Sequence, residues 1–556
     1  MKKLLFLLAI LLFVTSCKAQ ETTQTSENKI SESSKPKLVI GIVVDQMRYD
    51  YLTRFYSKYG DGGFKRLMND GYNLKNTHLN YSSTKTAVGH TSIYTGTTPN
   101  NHGVLANDWY DKESKEYINC VSNNKYTTIG STSKNGEKSP YRNQTTTIGD
   151  QLHIAQNMNG KVIGISLKDR GSILPAGHSA NAAYWYDGND IGNWISSSYY
   201  MKELPKWVHD FNKAKKVDEY LSKTWNTYYD ISTYTESVDD NNSYEQKLKG
   251  KSTATFPYDL PKLRALNENY SLIKETPFGN SLTLDFAIEA IKNEHLGKSD
   301  FTDLLTVSFS STDYIGHGFG VSSKEVEDAY IRLDKDLERF LLFLDTEIGK
   351  TNYTLFLTAD HGATEVPRYL KDQSIPARYI DKKKLRKHIK QIAKELFGSE
   401  GLIEHISNNT VYLNKKKIKT LKLNLIDVQQ IIANELINHK DIYKTVTANT
   451  LQTTNFTNGF MNLIQNSYNQ KLSGDIVFIY NPSSITDYYK NKGGTTHGTG
   501  YNYNTHVPLL FYGNGIKKGE SSAYHPITDI VPTLSTLLEI EFTNGNTGNV
   551  IEEVLE

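Results

Sequence analysis

Leu304-Leu-Thr-Val-Ser-Phe309 is a short apolar run that ends just ahead of Asp313-Tyr-Ile-Gly-His317, and Tyr353-Thr-Leu-Phe-Leu357 ends just ahead of Asp360-His361-Gly362. Runs of this length without polar alternation predict strands buried on both faces, as in a parallel sheet covered by helices. A third run, Leu38 to Val44, closes on Asp45. Three strand ends thus supply carboxylates, two of them with an imidazole close by. In an open α/β fold the carboxyl edge of the sheet is where sites form, so the pattern predicts a metal site.

Lys161 to Leu167 and Val507 to Tyr512 repeat the strand pattern. Val326, Tyr330, Leu333, Leu337, Leu341 and Leu344 recur at helical spacing, predicting a helix from about Ser323 to Ile348. Ser322 with Glu325 reads as its capping box and Gly349 as its stop. Asp529 to Ile540 predicts another helix. The expected class is α/β, with a mostly parallel central sheet flanked by helices. Two stretches break the pattern: 180–278, rich in Tyr, Ser, Asn and Asp, and 367–471, which carries a basic helix from Asp381 to Leu396. Each lies between candidate ligands, so both read as cap segments inserted into one catalytic domain, 37–556. Lys382-Lys-Lys-Leu-Arg-Lys-His reads as a solvated helix face.

The chain has 556 residues, 38% of them hydrophobic, enough for a large core, and a formal net charge of +2. Near-neutrality excludes a general attraction to nucleic acid or anionic lipid, so any anion recognition is local. The 37 tyrosines are assigned to polar surface and cap packing. At the N-terminus, Lys2 and Lys3 precede the apolar stretch Leu4 to Val14 and then Thr-Ser-Cys17, a secretory signal of lipoprotein type over 1–17. Cleavage after Ala19 or Gln20 is the alternative. Residues 18–36 read as a polar tether. With Cys17 lipidated or removed, Cys120 has no partner for an intramolecular disulfide.

In Thr84-Lys-Thr86-Ala-Val-Gly-His90, a hydroxyl followed by small residues places Thr86 at a predicted helix N-terminus, where free N–H groups favour an anion. Together with Val43-Val-Asp45-Gln-Met-Arg, His102-Gly-Val-Leu-Ala-Asn107-Asp-Trp, Lys168-Asp-Arg170-Gly, Asp313-Tyr-Ile-Gly-His317, Asp360-His361-Gly and His497-Gly-Thr-Gly, this set resembles the alkaline phosphatase superfamily. It is most similar to the phosphate-irrepressible periplasmic alkaline phosphatases, over essentially the whole mature chain.

The resemblance implies a site with two Zn2+ ions per chain. Asp313, His317 and His497 would hold one, and Asp45, Asp360, His361 and the Thr86 oxygen the other. Carboxylate and imidazole both suit zinc. It also implies a phosphothreonine intermediate at Thr86, with the Asp313 set on the leaving-group side. Two metals about 4 Å apart can stabilise both apical oxygens of an in-line displacement. Asn107, Lys168 and Arg170 would donate to the nonbridging phosphoryl oxygens. On an extended strand exit, Lys168 and Arg170 share a face and Asp169 points away. His90, His102 and His178 read as packing or supporting histidines.

The expected function is hydrolysis of small phosphate monoesters by an exported, monomeric enzyme, periplasmic or on the surface of a Gram-negative cell. Nucleic-acid binding is not expected, and the membrane enters only through the N-terminal lipid. The rival is a nucleotide pyrophosphatase/phosphodiesterase, which would need room for a second ester group where Lys168 and Arg170 are expected. A non-catalytic surface binding lipoprotein would account for the signal and tether but not for the ordered ligand set. Cys120-Val-Ser-Asn lacks the Cys-x-Pro-x-Arg pattern of a sulfatase.

Overall fold

A computed structural model describes residues 35–189 and 191–556. The predicted signal with its Cys17, and all of the tether but its last two residues, lie outside the described residues. Leu38–Val44 is the central strand, flanked in parallel by Tyr353–Thr358 on one side and Asp303–Phe309 on the other. Val162–Ser166 and Ala182–Asp187 continue the parallel order beyond Asp303–Phe309. All seven residues of Leu38–Val44 and of Asp303–Phe309 are buried, which is why these runs carry no alternation. Helices cover the sheet, among them Phe278–Asn293 and Lys324–Glu347, and the α/β class with a flanked central sheet stands.

The sheet is mixed at its margins. The expected strand Val507 to Tyr512 is divided at Pro508, which has no N–H to give a ladder, into His506–Val507 and Leu509–Gly513. Leu509–Gly513 runs antiparallel to Tyr353–Thr358 and to Tyr72–His78. The long helix begins at Lys324, but its cap is Ser323, whose Oγ accepts from the Val326 N–H at 3.2 Å. Ser322 instead donates to Glu365 at 2.7 Å, and Glu325 turns inward to Tyr258. Gly349, at φ +94°, follows the helix as expected.

The Tyr-rich stretch begins with two strands of the central sheet, Ala182–Asp187 and Asn193–Ser197. Its tyrosines divide between interior and surface: Tyr184, Tyr186, Tyr234 and Tyr258 are buried, Tyr228 and Tyr229 are exposed, and Trp194 stacks on Phe286 at 4.2 Å. Burying a tyrosine is tolerable when its hydroxyl finds a partner, and Tyr234 and Tyr258 donate to Asp328 and Glu325. The stretch from 367 onward builds a four-stranded antiparallel sheet, ordered Ile403–Ser407, Thr410–Leu413, Ile476–Tyr480, Ile442–Thr447. It has an apolar cluster of its own under the helices Lys382–Phe397 and Leu425–Leu436. Its strand Ile476–Tyr480 lies past residue 471.

Candidate active site

Asp45 follows the central strand, and Asp360 and His361 follow the neighbouring strand Tyr353–Thr358 by two and three residues. Asp313 stands in the first turn of the helix Ser311–Phe319, directly after the strand on the other side. His317 is one helical turn further on the same face, so its Nε2 lies 3.1 Å from Asp313 Oδ1. His497 comes from a loop whose Nδ1–H donates to the Thr84 carbonyl at 2.7 Å, which aims its Nε2 inward. The His317 ring is oriented in the same way by the Thr495 carbonyl, at 2.8 Å.

These groups converge. Donor atoms of Asp45, Asp360 and His361 lie within 4.8 Å of one another, as do those of Asp313, His361 and His497. His361 therefore belongs to both groups, and its ring stacks on His497 at 3.5 Å. Asp45, Asp360 and His361 are wholly buried. Among the described residues, Asp45 Oδ1, Asp360 Oδ2 and His361 Nε2 have no hydrogen-bond partner, a costly condition for buried polar atoms unless a cation meets them. The donor set of carboxylates and imidazoles without thiolate fits zinc.

The electrostatics agree. Three buried carboxylates, Asp45, Asp313 and Asp360, face one ammonium, Lys168, which lies 2.6 Å from Asp45 Oδ2 and 2.5 Å from Asp313 Oδ2. Burial opposes the charge on Asp313, but His317 and Lys168 outweigh it and hold its carboxyl well below the usual range. Burial, then the Asp313 and Asp360 charges, push the Asp45 carboxyl up. Burial, then His361, push His497 well below an ordinary imidazole. Added positive charge at this place would let all three carboxylates stay ionised together.

Thr86 opens the helix Thr86–Thr95, every residue of which is buried, and Lys85 precedes it in extended conformation. Asn107 Oδ1 accepts from the Ala87 N–H at 2.9 Å, fixing its amide beside the helix start. The helix abuts Asp360: His90 Nδ1 lies 2.8 Å from the Thr86 carbonyl and 3.3 Å from Asp360 Oδ2. His90 spends Nδ1 on the Thr86 carbonyl and Nε2 on the Ser308 hydroxyl, so its ring packs beside the carboxylate without bonding it, while His102 bonds Ser92 within the core.

Lys168 and Arg170 do not share a face of an extended strand exit as expected, because the chain turns at once into the helix Asp169–Ala176. Lys168 reaches the carboxylates. Arg170 lies with Nη1 3.6 Å from Asp169 and its Nε unpartnered, and Asp169 faces Lys138 at 3.3 Å. Gln46 also belongs to this cluster, which its sequence position alone did not reveal. Its side-chain amide donates to Asp313 at 2.6 Å and its backbone N–H to Asp360 at 3.2 Å, which ties both flanking carboxylates to the central strand. It does so at φ +67°, a strained setting for a residue other than glycine and the kind that accumulates at functional sites. Nothing in the pattern marks it beyond its place next to Asp45.

Residues 39–504 match the family described as type I phosphodiesterase / nucleotide pyrophosphatase. The chain belongs to this family. Within the family it is similar over nearly its whole length to the alkaline phosphatase PafA of Elizabethkingia meningoseptica, 44% identical over 95% of this chain and 96% of that protein. The crystal structure of wild-type PafA superposes with a TM-score of 0.89 over 94% of this chain and 99% of that one. The alkaline phosphatase PhoV of Synechococcus elongatus is 42% identical over the full length of both chains. A protein of Myroides odoratus named calcium-transporting ATPase is 46% identical over 94% of this chain and 95% of that one. This places the family member among the alkaline phosphatases, and its α/β sheet is the PafA fold.

Proposed function

We propose that this chain, a phosphoric monoester hydrolase of the alkaline phosphatase type, works through Thr86 as nucleophile at a two-zinc centre. The observation that carries the reading is the convergence of the partnerless donors of Asp45, Asp360 and His361 beside the helix that starts at Thr86. Asp45, Asp360 and His361 would hold one ion with Thr86, and Asp313, His317 and His497 the other. Bound zinc supplies Lewis-acid stabilisation of charge on both apical oxygens. Thr86, giving up its hydroxyl proton to solvent, would attack phosphorus as the ester P–O bond breaks and the alcohol leaves with a proton from water, and a second water would then split the phosphothreonine into free Thr86 and inorganic phosphate. The Asn107 amide, anchored through its oxygen on Ala87, turns its N–H donors toward a nonbridging oxygen. Lys168 holds Asp45 and Asp313 in place and offers its charge to the same phosphoryl group. The unpartnered Nε of Arg170 offers a further donor.

Purified protein should hydrolyse p-nitrophenyl phosphate, lose that activity to a chelator and regain it with zinc. Thr86→Ala should keep its metal and lose at least about 100-fold in kcat. The family description favours a second reading, the phosphodiesterase. Faster turnover of bis-p-nitrophenyl phosphate than of the monoester would establish it instead. We also infer export and lipid anchoring at Cys17 from the N-terminal sequence. A single acyl chain binds a membrane only marginally, so the anchor would need more than one. Unaltered membrane fractionation of Cys17→Ser would refute anchoring.

A further inference from the structure

A cavity of about 370 Å3 opens beside His497 and Gly498 and runs out to the inserted four-stranded sheet. Its wall carries Lys85, Lys382 and Arg386 and, among the described residues, not one carboxylate. The Lys85 ammonium lies 3.0 Å from the Asn408 amide oxygen, a neutral partner, and its stem passes Gly498. Among the described residues, none of the three cations has a carboxylate within 4.0 Å. Asp108 acts on Lys85 and Asp487 on Lys382 only from outside the wall.

Three cations from two distant parts of the chain therefore face one space whose wall carries no carboxylate among the described residues. Such a grouping is repulsive in the free protein and favourable only toward an anion. Aromatic faces of Trp109, Tyr412 and Tyr489 complete the wall and give an organic group apolar surface. Lys85 directly precedes Thr86, and His497 belongs to the set on the leaving-group side in the phosphatase reading, on which this inference rests. The space is thus positioned to receive the departing part of the substrate. Lys382 and Arg386 stand one turn apart at the start of the helix Lys382–Phe397. The basic run that reads as a plain solvated face in the sequence therefore presents two of its cations to the active-site cavity.

We propose that this cavity is a leaving-group subsite that selects phosphate monoesters whose leaving group carries a second anion, a carboxylate or a further phosphate. Glycerol 2-phosphate and D-glycerate 2-phosphate carry the phosphoryl group on the same secondary carbon and differ by a carboxylate in place of a hydroxymethyl group. The wild-type enzyme should favour the glycerate in kcat/KM by about tenfold or more, the scale of one contact to a charged group. Fructose 1,6-bisphosphate against fructose 6-phosphate tests the phosphate arm. In the Lys382→Gln/Arg386→Gln double variant, both preference ratios should collapse toward unity, and both should shrink with added salt in the wild type. Both residues are exposed and, among the described residues, have no carboxylate within 4.0 Å, so the variant should keep its fold. Ratios near unity in the wild type, or unchanged ratios in the variant, would overturn the subsite. A wild-type enzyme inert toward p-nitrophenyl phosphate would instead overturn the phosphatase reading, so the two failures are distinguishable.

Discussion

Lys168 and Arg170 sit two positions apart and are held differently. The Lys168 ammonium is wedged between Asp45 and Asp313 at 2.6 and 2.5 Å, whereas the Arg170 guanidinium has, among the described residues, only the Asp169 carboxylate, at 3.6 Å. Removing Lys168 strands buried carboxylates, which typically costs about 3 kcal/mol or more. Removing Arg170 strands no carboxylate in the sheet edge. Lys168→Ala should therefore lower both kcat/KM for a monoester and the melting temperature of chelator-treated protein. Arg170→Ala should lower kcat/KM by about 100-fold, as for one preorganised donor, with little change in melting. Equal melting losses would mean that Arg170 is structural. The identities of these residues were legible from the motif, but their partners were not. A helix starting at Asp169 cancels the two-residue alternation that an extended chain would have imposed.

At the scale of the element, the helix Thr86–Thr95 is placed by a contact that a side chain would destroy. A Cβ on Gly89 would stand 2.3 Å from the Asp360 carbonyl oxygen and 2.6 Å from its Cβ. Only glycine lets the helix come this close to the strand end that carries Asp360. Alanine favours helix over glycine by about 1 kcal/mol, so Gly89→Ala harms placement rather than helicity. It should leave the circular dichroism spectrum intact and lower kcat by about 100-fold, the usual cost of misplacing a reacting group by 1 Å. Activity within a factor of two of wild type would show that the helix can move without consequence. The glycine was visible in Thr-Ala-Val-Gly-His, but a distance to a residue 271 positions away is set only when helix and sheet pack.

Over the whole molecule, the core includes carboxyl groups that serve no metal. Glu325 accepts from the Tyr258 hydroxyl at 2.5 Å and Glu245 from Asn242 at 2.6 Å, and the second oxygen of each is buried without a partner. Burial pushes Glu325 up to about 8, and burial with the Glu325 charge pushes Glu245 up to about 10, from 4.5. Across that interval the native state holds protons that the unfolded chain has released. Their stabilisation is complete below the unfolded value and is lost as pH rises through the folded ones. The melting temperature should fall between about pH 6 and about pH 9, by no more than about 1.4 kcal/mol of stability per pH unit for each proton. Glu325→Gln should flatten the slope. A slope unchanged in that variant would assign it to other groups.

Three strand ends and their carboxylates were determined by the sequence itself, because a strand buried on both faces must be continuously apolar and a polar residue at its end has to lie at the sheet edge. The short spacing of Asp313 and His317 was visible in the sequence, but the helix that sets them on one face appears only in the structure. Tertiary structure alone decided that His361 belongs to both donor groups, that Gln46 ties Asp313 and Asp360 together, and that Lys382 and Arg386 look into the cavity beside His497. Each of these joins segments far apart in the chain. Local pattern records which face of an element is buried, but what lies across that face is set by the packing of the whole fold.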